Sequence, residues 1–399
     1  MTDPISRPAR PLLASPAFIV LAAAALAFFV AGGLILPVAP RFAKLALDAD
    51  ALGFGLSIGS FSIASLLCRP VVGWSTDRYG RRPLLVGGAL VTVAGVLLHV
   101  VATDLLVFTV ARCILGAGEA FFFVAAIAAA SDLAPDARRG EAISFLSLSL
   151  YLGIAIGPPI GEVVFAAGSY DAVWLVAAVV AGAAVALSLV VPESAPPVTG
   201  ARSWRSGGGG LIHPAGVLPG IVILFGLWGM AGFFTYLPLY TPEVGMDGAG
   251  LPLTAYALVV VAFRTIGATW PDRFGAARLS GVALAVSAVG LAVIGFFPTP
   301  VGLLAGTLVF ASGVAFTMPA LLTLAVSRAP ATERGRVMGT TTVFLDIAFG
   351  AAPVVLGFVA DGSGYRATFL VSAGLAVVAA TILGAGRRSF RHPLLVTGE

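Results

Sequence analysis

The chain of 399 residues is 59% hydrophobic and only 11% charged, with a formal net charge of +4. Soluble domains carry nearer a quarter charged residues, so this composition excludes an ordinary soluble fold. Cys68 and Cys113 lie inside apolar runs, and His99, His213 and His392 are scattered, so neither a disulfide framework nor a metal-ligand cluster is expected.

The apolar runs are continuous, not alternating, and each is long enough to cross a bilayer as a helix of roughly 20 residues. In chain order the predicted spans are 16–40, 52–74, 83–102, 105–130, 142–166, 171–191, 216–240, 252–270, 278–297, 301–327, 337–360 and 367–386. The first follows Arg7 and Arg10 as a signal peptide would, but it outruns the roughly 7–15 apolar residues of a signal core and is read as a retained span. The longest polar gap, Pro192–Pro214, contains Arg202, Arg205 and the run Gly207–Gly210. No Lys-Ser/Thr follows these glycines and no strand precedes them, so they read as a flexible linker and not a phosphate loop. The expectation is an all-α membrane protein: an N-terminal six-helix half (1–191), a cytoplasmic linker (192–215) and a C-terminal six-helix half (216–399).

Seventeen arginines fall in the two ends, the linker and the even-numbered gaps; only Arg41, Lys44 and Arg366 fall in the odd-numbered gaps. Positively charged loops stay inside, which predicts cytoplasmic termini. Lys44 is the only lysine among 23 basic residues, a bias that fits a GC-rich bacterial gene and hence a bacterial inner membrane. No basic face with interleaved aromatics is present, so nucleic acid is not an expected partner. A monomer in the lipid bilayer is expected.

An internal repeat runs through the chain at an offset of 195 residues. Asp77, Arg78 and Gly80 return as Asp272, Arg273 and Gly275; Arg139-Gly140 returns as Arg334-Gly335; Pro158 returns as Pro353; and Gly118-x-Ala-Phe121 returns as Gly313-x-Ala-Phe316. Two parallel halves follow, with a cavity between them near the bilayer midplane. In the loudest of these motifs, Gly73 allows close packing, Gly80 permits a turn that other residues resist, Asp77 suits a helix N-terminus, and Arg78, Arg81 and Arg82 suit acids or lipid phosphates.

The spacing Gly73-x-x-x-Asp77-Arg78-x-Gly80-Arg81-Arg82 resembles the loop between spans two and three of the major facilitator superfamily. Together with the twelve spans, the repeat and the linker, the resemblance covers essentially the whole chain. It implies a conformational latch in which Asp77 faces the start of span eleven, near Arg336–Thr340.

Span four places Arg112 and Glu119 seven residues apart, on nearly one helix face and about 10 Å apart along the axis. Their counterparts at the repeat offset are Thr307 and Val314, so the scaffold does not require the charges. Buried charges in a membrane span are costly and persist where they face a cavity or a partner. An intra-helix pair that locks the bundle is the structural alternative. The segment Arg112-x-x-x-Gly116-x-Gly118 resembles the second signature of proton-coupled members, which implies a relay through Arg112; no acid stands in span one, so Glu119 is the expected proton carrier.

Span five carries Gly153, Gly157, Pro158 and Gly161, a flat strip with a kink. It resembles the family's antiporter signature, with Glu162 in place of the last glycine. That resemblance implies export and packing of helix five against the other half. Glu162 is expected near the outer end, reaching water or taking part in function. Asp346, whose counterpart is Tyr151, is a second protonation candidate or a contact for a cationic substrate. Arg69 and Arg264, also counterparts, are read as snorkelling anchors. Phe28, Phe122, Tyr151, Trp228, Phe233, Tyr236 and Met318 are candidates for an apolar cavity wall. The chain has no Asn or Gln, which disfavours a sugar.

The expected function is secondary active transport, with a proton gradient as energy source and no cofactor: export of a hydrophobic or amphipathic small molecule by alternating access. An importer or facilitator of a small metabolite on the same fold is the alternative, and a non-transporting sensor or scaffold a more distant one. No nucleophile triad is visible and no enzyme is expected.

Overall fold

The computed structural model describes residues 15–135, 138–194, 213–267, 270–327 and 334–386. Most of the predicted linker, including Gly207–Gly210, lies outside the described residues. Twelve apolar helices follow one another: α1 (Pro16–Ile35), α2 (Ala51–Tyr79), α3 (Arg81–Val100), α4 (Leu105–Asp132), α5 (Arg139–Ala167), α6 (Tyr170–Val190), α7 (Pro214–Tyr240), α8 (Gly250–Ile266), α9 (Ala276–Phe296), α10 (Pro300–Val326), α11 (Arg334–Ser363) and α12 (Tyr365–Gly386). Eleven are long and apolar enough to cross a membrane; α8, with 17 residues, is shorter but equally apolar in kind. Large apolar side chains such as Leu67, Leu106, Val179 and Val301 stand exposed on the outside of the bundle, as lipid contact requires.

Local sequence sets the boundaries. Asp50, Asp104 and Thr299 cap the first turns of α2, α4 and α10 by accepting from Gly53, Val107 and Gly302 backbone N–H groups. Asp104 and Thr299 are repeat counterparts. So are Gly80 (φ +96°) and Gly275 (φ +82°), which turn the chain from α2 into α3 and into α9. Side chains disfavour that region, so glycine is required at both turns.

Two boundaries depart from the sequence reading. The first span was expected to reach residue 40, but α1 stops at Ile35. Pro37 and Pro40 cannot continue its hydrogen-bond ladder. The chain instead forms a short helix, Ala39–Arg41, and a wide turn, Phe42–Ala46, both folded against the bundle. The polar motif at 73–82 was read as a loop, yet Gly73–Tyr79 is the last part of α2 and the helix yields only at Gly80.

Helices α1–α6 and α7–α12 form two six-helix halves. These meet chiefly through two helix pairs, α2 with α11 and α5 with α8. Small residues allow the approach. A Cβ on Gly55 would lie 2.8 Å from the Val354 amide nitrogen, and one on Gly59 would strike the Gly350 carbonyl. On one face the helices turn at Gly80 and Gly275; Gly55, Arg41 and Glu162 lie toward the opposite, far face.

Candidate functional site

The far face is closed by a charged clamp. Arg41 donates from Nη1 to Glu162 Oε2 at 2.8 Å and from Nε to the Pro238 carbonyl at 3.0 Å. The other carboxylate oxygen of Glu162 accepts from the Ala249 amide at 2.9 Å. A part-buried ion pair of the N-terminal half thus holds a carbonyl and an amide of the C-terminal half. Thr254 adds a bond to the Ala155 carbonyl at 2.8 Å, and Lys44 sits 3.7 Å from Asp361. Glu162 therefore has a protein partner on both oxygens while its side chain stays 17% exposed.

The glycine strip of α5 serves a different contact from the one the resemblance implied. Cβ atoms on Gly153 and Gly157 would meet Phe29 Cβ at 2.5 Å and Gly33 Cα at 2.6 Å, and one on Gly161 would meet the Leu34 backbone. The strip packs α5 on α1 within its own half. Its neighbours Ala155, Pro159 and Glu162 meet α8 and the residues before it.

Deeper in the interface, α2 presents two polar groups one turn apart. Ser65 Oγ donates to Glu119 Oε2 at 2.9 Å, and Arg69 Nη2 donates to Asp346 Oδ1 at 2.9 Å. Residues four apart share a helix face, so one face of α2 addresses both acids. Arg69 and Asp346 both lie within electrostatic range of Glu119. Asp346 is 7% exposed, and its second oxygen, Oδ2, is buried without a partner. Arg69 is half-buried and bends back to the opposite half, so it is not a snorkelling anchor.

Arg112 does not join Glu119. Its guanidinium lies 5.1 Å from the Phe61 ring centroid and donates a long 3.4 Å bond to the Ile58 carbonyl, while Nε is buried without a partner. Arg69, and not Arg112, is the arginine that stands with Glu119 and Asp346. The usable signal was the repeat: Arg69 and Arg264 are 195 residues apart, as are Tyr151 and Asp346. In the structure Arg264 also bends toward the opposite half, with its guanidinium 4.5 Å from the Tyr151 ring centroid.

Most predicted cavity aromatics are packing groups. Phe122 stacks on Phe28 with centroids 4.0 Å apart, inside the N-terminal half. Phe233 packs between Tyr256 and Phe310. The Tyr236 hydroxyl donates to the Pro353 carbonyl and its ring faces Phe54. Phe122, Phe233 and Tyr236 are at most 1% exposed. Trp228 is buried and Met318 half-buried in the shared core. Tyr151 alone of this set touches the central charges.

The basic motif binds its own half. Arg81 pairs with Asp132 at 2.9 Å, and the backbone N–H groups of Arg81 and Arg82 donate to Glu193, which caps α3. The Arg78 guanidinium lies against Trp74 and Tyr79. The side chains of Asp77 and Arg336 and the surroundings of Gly73 lie outside what the structure describes, and with them the Asp77 contact expected of the latch. Thr340 accepts from the His213 backbone N–H at 2.8 Å.

Comparison with known proteins fits this architecture. The Major Facilitator Superfamily profile matches residues 20–251 and 245–394. The chain is 28% identical over 367 residues to the uncharacterized MFS-type transporter STM4428 of Salmonella typhimurium, covering 88% of this chain and 91% of that one. Among solved structures, a bacterial homologue of the human lysosomal transporter Spinster, in an inward-facing and unoccupied conformation, superposes with a TM-score of 0.76 at 14% identity, covering 96% of this chain and 98% of that one. The human organic anion transporter MFSD10 superposes with a TM-score of 0.70 at 20% identity, covering 92% and 100%. The twelve-helix, two-half architecture and a match spanning both halves make this chain a multi-pass membrane transporter of the Major Facilitator Superfamily.

Proposed function

We propose that this transporter exports an amphipathic small molecule in exchange for protons. The observation that carries the reading is the cluster of Glu119, Asp346 and Arg69, placed where the two halves meet through α2 and α11. An acid on each half shares one cation. Any change in the angle between the halves must alter the Arg69–Asp346 contact, and a carboxyl whose cationic partner leaves in an apolar surround gains affinity for a proton. Proton binding is thereby tied to alternation. The arginine-rich face is the cytoplasmic one on the positive-inside argument, which places both termini and the 192–215 linker in the cytoplasm of a bacterial inner membrane. On this reading the far-face clamp holds the two halves together on the outer side.

Proteoliposomes containing a trapped pH-sensitive dye test the proposal, with a panel of amphipathic aromatic amines, acids and amides supplied on either side. The expected result is proton movement opposite to the transported compound, abolished in Glu119→Gln. Movement of compound and proton in the same direction would favour import by symport. Wild-type coupling in Glu119→Gln would remove Glu119 from the mechanism.

A further inference from the structure

The two copies of the repeat differ at the interface, and the difference has a place. Arg69 of α2 and Arg264 of α8 occupy equivalent positions in the repeat. Each reaches across to the opposite half, Arg69 to α11 and Arg264 to α5. Their targets, Asp346 and Tyr151, are equivalent too. One arrangement has been built twice, but only one copy has its acid. Where Arg69 meets a carboxylate, Arg264 meets the face of an aromatic ring.

Among the described residues, no carboxylate or hydrogen-bond acceptor meets Arg264, and its Nε is buried without a partner. A second orphan lies beside it. The Tyr256 hydroxyl, on the same helix, is buried and unpartnered, and Tyr256 lies within electrostatic range of both Tyr151 and Arg264. Arg112 is likewise without an acid. At the interface, Arg264 thus lacks the acid that its repeat counterpart Arg69 has in Asp346. The planar fork of a guanidinium matches carboxylate, sulfonate and phosphate oxygens. A cationic substrate would find no acid at this position.

We propose that Arg264, with the Tyr151 ring beneath it and the Tyr256 hydroxyl beside it, is the receptor for an anionic group on the transported amphiphile, so that the cargo supplies the acid missing from the second copy of the repeat. This rests on the transport reading above and narrows its substrate to organic anions.

The test is equilibrium binding of three matched probes to the purified full-length protein in neutral detergent: 1-naphthylacetate, 1-naphthaleneacetamide and 1-naphthylmethylammonium. The proposal expects the acid to bind at least about tenfold more tightly than the amide, with the amine weakest. Arg264→Gln should bring the acid to the level of the amide, and Arg264→Lys should restore part of the preference. Size-exclusion elution and thermal unfolding of each variant show whether it is folded. If Arg264→Gln is not folded, Tyr256→Phe carries the test, with an expected loss of roughly threefold for the acid alone. An acid that binds no better than the amide, including no binding of either, overturns the proposal, as does an unchanged preference in folded Arg264→Gln. Competition by added phosphatidylglycerol would assign the anion to a lipid headgroup; its absence would assign it to a free organic acid. No gradient enters the assay, so its failure leaves proton-coupled export standing, and loss of coupling in Glu119→Gln leaves anion binding standing.

Discussion

The far-face clamp and the central cluster are both made of charges set into the same interface, yet they differ in how completely those charges are paired. At the clamp, Glu162 has a partner on each oxygen, and Arg41 reaches both an acid and a carbonyl, leaving only its Nη2 buried without a partner. At the centre, Asp346 Oδ2, Arg112 Nε and Arg264 Nε are buried and unpartnered. A more fully paired network holds one geometry, because removing one partner from it is destabilising. An incomplete network keeps bonds available for a proton or a ligand. The clamp therefore suits holding a state, and the cluster suits changing it.

Four substitutions break or sharpen this contrast. The largest effect is expected at the centre, on function more than on fold. Asp346→Asn should lower proton-coupled exchange in proteoliposomes by about 100-fold, equivalent to roughly 2.7 kcal/mol, with a smaller loss of thermal stability because its partner Arg69 is 34% exposed and keeps access to water. A stability loss as large as the activity loss would make Asp346 a structural residue. Next comes Arg41→Gln, which leaves Glu162 without its cation. It should shift the ratio of closed to open far face by about 30-fold, or roughly 2 kcal/mol, read by spin-label distances between Leu45→Cys and Glu243→Cys with Cys68 and Cys113 replaced. An unchanged distance distribution would remove the clamp from the account.

Thr254→Val keeps shape but deletes the half-buried bond to Ala155. The same labels should report a shift of about 1 kcal/mol toward the open far face. The smallest effect belongs to Lys44→Ala. The Lys44–Asp361 contact is 3.7 Å long and Asp361 is half exposed, so a change of about 0.5 kcal/mol or less is expected. A shift matching that of Arg41→Gln would mean that net charge at the far face, and not the geometry of the clamp, sets the equilibrium.

The fold was legible because a bilayer reads length and hydropathy directly, and because the repeat shows twice what one copy shows faintly. The paired positive-φ turns at Gly80 and Gly275 belong to that pattern. Boundaries were less legible where prolines act: Pro37 and Pro40 end α1 early and create the short helix that carries Arg41. That is also why the clamp was hidden. Arg41 and Glu162 are 121 residues apart, and nothing in the order of residues announces that a loop folds onto the end of α5. Glu119 and Asp346 stood out because acids inside apolar runs are costly. Arg69 did not, since a long side chain near a span's end is expected to point toward the headgroups; its actual direction depends on Asp346, 277 residues away. The strip Gly153–Gly161 announced close packing but not its partner, because a flat helix face fits α1 as well as any helix of the other half.

The central claim is that protonation of the interface acids drives the two halves apart at the far face. The most direct measurement is the distance between spin labels at Leu45→Cys and Glu243→Cys, recorded in nanodiscs at acidic and at alkaline pH, in the parent protein and with Glu119→Gln and Asp346→Asn together. The account predicts a distance distribution that shifts with pH in the parent and stays fixed in the double variant. A double variant that shifts with pH as the parent does, or a parent that does not shift, would contradict it.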